Sequence, residues 1–63
     1  MNLTYGNILI DKETETDEHP ITAKVIDEYK TYYVLEVSCI GGTYHESLAK
    51  FHWLKGESRW RLK

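Results

Sequence analysis

Apolar and polar residues alternate along much of this chain with the period of a β-strand, in which successive side chains point to opposite faces. Leu3 to Ile10 is rich in β-branched and aromatic residues and reads as a first strand, interrupted by Gly6 and Asn7. Ile21 to Tyr29 alternates more cleanly. Ile21, Ala23 and Val25 fall on one side, Thr22 and Lys24 on the other, and Ile26 breaks the pattern. Tyr32 to Ile40 carries the strongest strand pattern, with Tyr33, Leu35, Val37 and Cys39 on one face and a mixed set on the other. Gly41-Gly42 follows at once and suits a two-residue hairpin turn, since glycine tolerates the positive φ that such turns need. That turn sets Cys39 opposite Tyr44 and Leu35 opposite Leu48, so Tyr44 and Leu48 share the apolar face of Leu35.

Thr43 to Leu54 admits two readings. As a strand, it forms a second hairpin across Lys55-Gly56 with residues 57–62. Ala49, Phe51, Trp53, Trp60 and Leu62 then share one face, and Phe51 opposes Trp60 in a stabilising aromatic pair. As a helix over about 44–54, it has Thr43 and Glu46 at capping-box spacing and Gly56 to close it. The strand accounts for residues 58–63 and is preferred. Leu48 and Ala49, adjacent and both directed inward, then require a β-bulge. The predicted fold is all-β: a small five-stranded meander closing into an SH3-like barrel, as one domain over residues 1–63. The alternative is an α+β fold with the helix at about 44–54.

Between the first two strands lies DKETETDEHP, residues 11–20, dense in charge and free of large apolar side chains. It reads as a mobile acidic surface loop.

Charge alters this picture in one respect. The formal net charge is −2. Residues 1–31 hold seven acids and three bases, −4; residues 32–63 hold three acids and five bases, +2. On the strand reading Lys50, His52, Arg59, Arg61 and Lys63 form a basic strip that can track a phosphate backbone. The aromatics that would stack on bases, however, lie on the other face, where they serve as core. Nucleic-acid binding is therefore the second reading.

No motif for catalysis emerges. Cys39 and His45 flank the Gly-Gly turn but point to opposite faces, and nothing activates either as a nucleophile. Three scattered histidines and one cysteine lack the spacing of a zinc site, and the acids of the loop lack the glycine and terminal glutamate of a calcium loop. No enzyme, metal or cofactor is expected. A single cysteine forbids an internal disulfide and fits a reducing compartment. With no signal-like start and no apolar run long enough to span a bilayer, a cytoplasmic protein without membrane contact is expected.

Five tyrosines are more than so small a core can bury. Exposed aromatics supply much of the energy at protein interfaces, and an acidic loop steers a basic partner. The first reading is thus a non-catalytic binding or regulatory protein that docks on a larger protein, in the manner of a phage or mobile-element accessory or inhibitor. Its contact candidates are Tyr29, Tyr32, Asp11, Glu13, Glu15, Asp17 and Glu18. The chain is expected to be a monomer or a homodimer paired through an edge strand.

Overall fold

The computed structural model describes residues 2–63; Met1 lies outside the described residues. Five antiparallel strands form one sheet: β1 (Ile8–Asp11), β2 (Thr22–Glu28), β3 (Tyr32–Cys39), β4 (Gly42–Ala49) and β5 (Trp60–Leu62). One short helix, α1 (Lys50–Lys55), links β4 to β5. The strand order is β4-β3-β2-β1-β5. The first four strands form a meander. β5 departs from it and pairs with β1 at the far edge, Leu9 opposite Leu62 and Asp11 opposite Trp60. This corrects the expected order, in which the last strand followed β4.

The cause lies at residues 49–56. β4 ends at Ala49, and the chain turns into α1 instead of continuing as a strand. Gly56 closes the helix in the left-handed conformation, φ 71°. The Gly56 N–H donates to the Trp53 carbonyl (3.1 Å) and the Glu57 N–H to the His52 carbonyl (3.0 Å), the paired bonds of a Schellman cap. The hairpin expected across Lys55-Gly56 does not form. Phe51 and Trp60 are not partners: Trp60 is buried and Phe51 is 59% exposed. The helical alternative was right in type but too long, since residues 42–49 are strand. The Leu48–Ala49 adjacency needs no bulge, because Leu48 ends the buried row and Ala49 begins the turn into the helix. The bulge falls instead in β2, between Val25 and Asp27, at the Ile26 that broke the alternation.

The β3–β4 hairpin turns at Ile40-Gly41 rather than Gly41-Gly42. Cys39 pairs with Gly42, Val37 with Tyr44 and Tyr33 with Leu48. Each β4 residue thus meets a partner two residues from the expected one. A shift of two preserves faces, so Tyr44 and Leu48 remain on the side of Leu35 and Val37. Gly42 holds φ 129°, which only glycine adopts readily.

The first strand is shorter than expected. Residues 3–7 form a turn in which the Asn7 side-chain oxygen accepts the Thr4 N–H (2.7 Å). Gly6, at φ 90°, donates to the Val25 carbonyl. Leu3 still reaches the core, its N–H donating to the Tyr33 hydroxyl at 3.1 Å. The core consists of Leu3, Leu9, Ala23, Val25, Tyr33, Leu35, Val37, Leu48 and Trp60, with Ile21, Trp53 and Leu62 packed on its margin.

Candidate functional site

The two edge strands of the open sheet, β4 and β5, do not pair. Side chains bridge the seam. The Trp60 indole N–H donates to Glu46 Oε2 at 3.2 Å, and Arg59 Nη1 lies 3.9 Å from Glu46 Oε1. The Arg59 guanidinium also sits 4.9 Å from the Trp60 ring centre. Glu46 points inward because it lies two residues from both Tyr44 and Leu48 and so shares their face, a signal present in the sequence but visible as functional only once Trp60 arrives from β5.

The acidic segment is tied to this seam. Asp11 is not a loop residue: it ends β1, is 2% exposed, and pairs with Arg59 Nη2 at 2.7 Å. Its other oxygen accepts the Glu13 N–H at 3.0 Å. Burial pushes the Asp11 carboxyl up, but the Arg59 guanidinium, the Glu13 N–H and the Thr14 side chain outweigh it and hold the group below its ordinary 3.8. Asp11 in turn raises the Arg59 guanidinium through the same hydrogen bond. Beyond Asp11, the Thr14 N–H donates to the Asp11 carbonyl, the Asp17 N–H to the Thr14 carbonyl, and the Ile21 N–H to the Thr14 hydroxyl. Lys12 donates its backbone N–H to the Arg59 carbonyl and its Nζ to the carbonyls of Gly56 and Ser58. Arg61 pairs with Glu15, which raises the guanidinium's pKa. Glu13, Asp17 and Glu18 remain exposed.

The predicted basic strip is therefore dispersed. Arg59 and Arg61 flank and sit in β5, held by the acidic segment. Lys50 and His52 belong to α1, where Lys50 Nζ meets Glu28 Oε2 at 2.6 Å. His52 and Lys63 are exposed.

A third region brings together residues that the sequence left apart. Tyr29 and Tyr32 flank the β2–β3 turn, closed by the Tyr29 N–H donating to the Tyr32 carbonyl (2.8 Å). Their rings stack with centroids 5.0 Å apart and planes 21° from parallel, and both are exposed. The Asp27 charge beside it raises the Tyr29 hydroxyl above its ordinary value, helped by a hydrogen bond to the same carboxylate. The start of α1 is pinned to the same turn: the Lys50 N–H donates to the Thr31 carbonyl at 2.9 Å, and Lys50 Nζ bonds Glu28 on the adjoining strand. α1 leaves Phe51 and Leu54 exposed, with Lys55 Nζ 4.3 Å from the Phe51 ring centre. Sequence reasoning placed Phe51 in the core, and Leu54 was not singled out.

Among the described residues no three of His, Cys, Asp and Glu converge on a common point. No helix among them is long and apolar enough to cross a membrane. No family model matches the chain, and no curated protein or solved structure matches it.

Proposed function

We propose that this chain is a small, non-catalytic docking protein with a barrel of SH3-like design, its seam between β4 and β5 closed by side chains rather than by backbone pairing. It acts by occupying a surface on a larger protein, in the manner of a phage or mobile-element accessory or inhibitor working in the cytoplasm. The observation that carries this reading is the stacked, exposed Tyr29–Tyr32 pair; α1, whose first residue is pinned to the same turn, exposes Phe51 and Leu54 as well. Rigid aromatic rings with a polar tip are the side chains that dominate binding energy at protein interfaces, and clustered exposed apolar groups mark such surfaces. Glu13, Asp17 and Glu18 add charge that steers a basic partner. Nucleic acid is a weaker ligand for this surface, because Lys50, Arg59 and Arg61 already neutralise Glu28, Asp11 and Glu15.

The test is affinity capture from lysate of the encoding organism, with and without nuclease, using the wild type and a Tyr29→Ala, Tyr32→Ala double variant. A captured protein that survives nuclease and is lost from the double variant, with the far-ultraviolet circular dichroism unchanged, supports docking through this pair. Capture abolished by nuclease transfers the function to nucleic acid. Capture indifferent to the double variant removes the tyrosines from the interface.

A further inference from the structure

We infer that the outer face of the β2–β3 hairpin end is a binding site for an arginine side chain of the partner protein, its guanidinium laid on the Tyr29–Tyr32 stack and hydrogen-bonded to the Asp27 carboxylate. This deepens the docking reading, on which it rests, by naming the chemical group that the surface holds.

The placement begins with the bulge in β2. Side chains alternate along a strand, so Asp27, two residues after the buried Val25, would turn into the core if the strand were unbroken. The extra residue at Ile26 shifts the register: Val25 opposes Leu35, but Asp27 opposes Val34 and Glu28 opposes Tyr33. A bulge re-aims the side chains beyond it in this way. Tyr33 and Leu35 belong to the core, so Glu28 falls on the core side, and Asp27 on the outer face with Val34 and Tyr32. The bulge thus sorts two adjacent carboxylates. Glu28 meets the Lys50 ammonium, which lies 5.2 Å from the Tyr33 ring centre. Asp27 makes no ion pair among the described residues and stands beside the stacked tyrosines.

The Asp27 carboxylate is held in place. Its Oδ1 accepts the Glu28 N–H at 2.8 Å, and the Tyr29 hydroxyl donates to it. An ionised carboxylate offers about four acceptor sites, so room remains for donors from outside. The rings also lack a cation. Tyr5, Tyr33, Phe51 and Trp60 each have a lysine or arginine of the chain over them. Among the described residues none lies over Tyr29 or Tyr32.

Exposed rings beside a fixed, uncompensated carboxylate complement a planar cation. A guanidinium stacks flat on an aromatic face, donates two parallel N–H bonds to a carboxylate, and is more weakly hydrated than an ammonium. The same carboxylate repels a phosphodiester, which disfavours a nucleic-acid base on this stack. A second copy supplies no free guanidinium, because the chain's two arginines, Arg59 and Arg61, are held by Asp11 and Glu15.

The experiment titrates the full chain with acetyl-Gly-Ser-Arg-Ser-Gly-amide, and with the same peptide carrying lysine or citrulline in place of arginine, followed by nuclear magnetic resonance. The arginine peptide should shift Asp27, Tyr29 and Tyr32 saturably. The lysine peptide should bind at least about threefold more weakly. The citrulline peptide, isosteric but neutral, should shift none of the three at the concentration that half-saturates with arginine. Asp27→Asn keeps an acceptor for the Glu28 N–H and should weaken arginine binding at least about fivefold. Glu28→Gln, on the core side of the same hairpin, should stay within about twofold. No shift at the tyrosines, equal binding of the citrulline peptide, or binding indifferent to Asp27→Asn would overturn the arginine site. Those failures are distinct from failure of the docking reading: capture from lysate that is lost from the tyrosine double variant leaves docking standing while the peptides reject arginine. The wild-type peptide series keeps the test decisive even where Asp27→Asn does not fold.

Discussion

Asp11 sits at the head of an acidic run and looks solvated, yet it is the one charged side chain buried in the described chain. Alternation from Leu9 directs it inward, and Arg59 meets it there. A carboxyl whose folded pKa lies below its unfolded value stabilises the fold above the unfolded value, near 3.8, and loses that contribution as pH falls through the folded value. The Asp11 contribution should therefore be constant near neutral pH and fade below about pH 4. Arg59 is partly solvated, so screening weakens the pair. Asp11→Asn should cost about 1.5 kcal/mol at pH 7, the lower end for hydrogen bonds to a charged group. It should also flatten the acid limb of stability against pH. Urea denaturation at stepped pH reads both; an unchanged acid limb would remove Asp11 from the folding balance.

At the scale of elements, the decisive event is the change from β4 to α1. The local residues suit either state, since Leu54 and the lysines favour a helix while Phe51 and Trp53 suit a strand. What tips the choice is the pair of anchors at either end: the Lys50 bond to Thr31 and the glycine cap at 56. Gly56→Ala meets open space, so crowding is not the difficulty. The penalty comes from forcing a side chain into φ 71°, about 1–2 kcal/mol. Gly41→Ala, in equally open space and without positive φ, should be close to neutral. Equal losses for the two in chemical denaturation would contradict the cap.

For the whole molecule, stability rests on a core of nine buried side chains in a chain of 63 residues. A domain this small buries a modest share of its surface, so single core losses weigh heavily. Trp60 spans the seam and fills the core at once. Trp60→Ala should cost about 3–5 kcal/mol and threaten folding. Trp60→Phe, which keeps most of the ring but leaves Glu46 without its N–H donor, should cost less, about 0.5–1.5 kcal/mol from the hydrogen bond. Phe51→Ala, at an exposed site, should fall within about 0.5 kcal/mol of wild type. Thermal melts of the three variants rank them; a Phe51 loss as large as that of Trp60 would restore the abandoned hairpin.

Local pattern was enough to establish the β-rich class, the inward faces of β2, β3 and β4, the hairpin between β3 and β4, and the irregularity at Ile26, whereas at Gly56 it left a hairpin tip and a helix stop both open and favoured the wrong one. Each follows from side-chain period or from the special backbone freedom of glycine, and both are properties of short segments. The partner of β5, the burial of Asp11, the bridging of Glu46 to Trp60, and the docking of the start of α1 on the Tyr29–Tyr32 turn were decided only in three dimensions. Those depend on which distant strand a three-residue segment joins. So short a segment carries too little pattern to specify its neighbour, and β1 prevails because pairing with it buries Trp60 and joins Arg59 to Asp11.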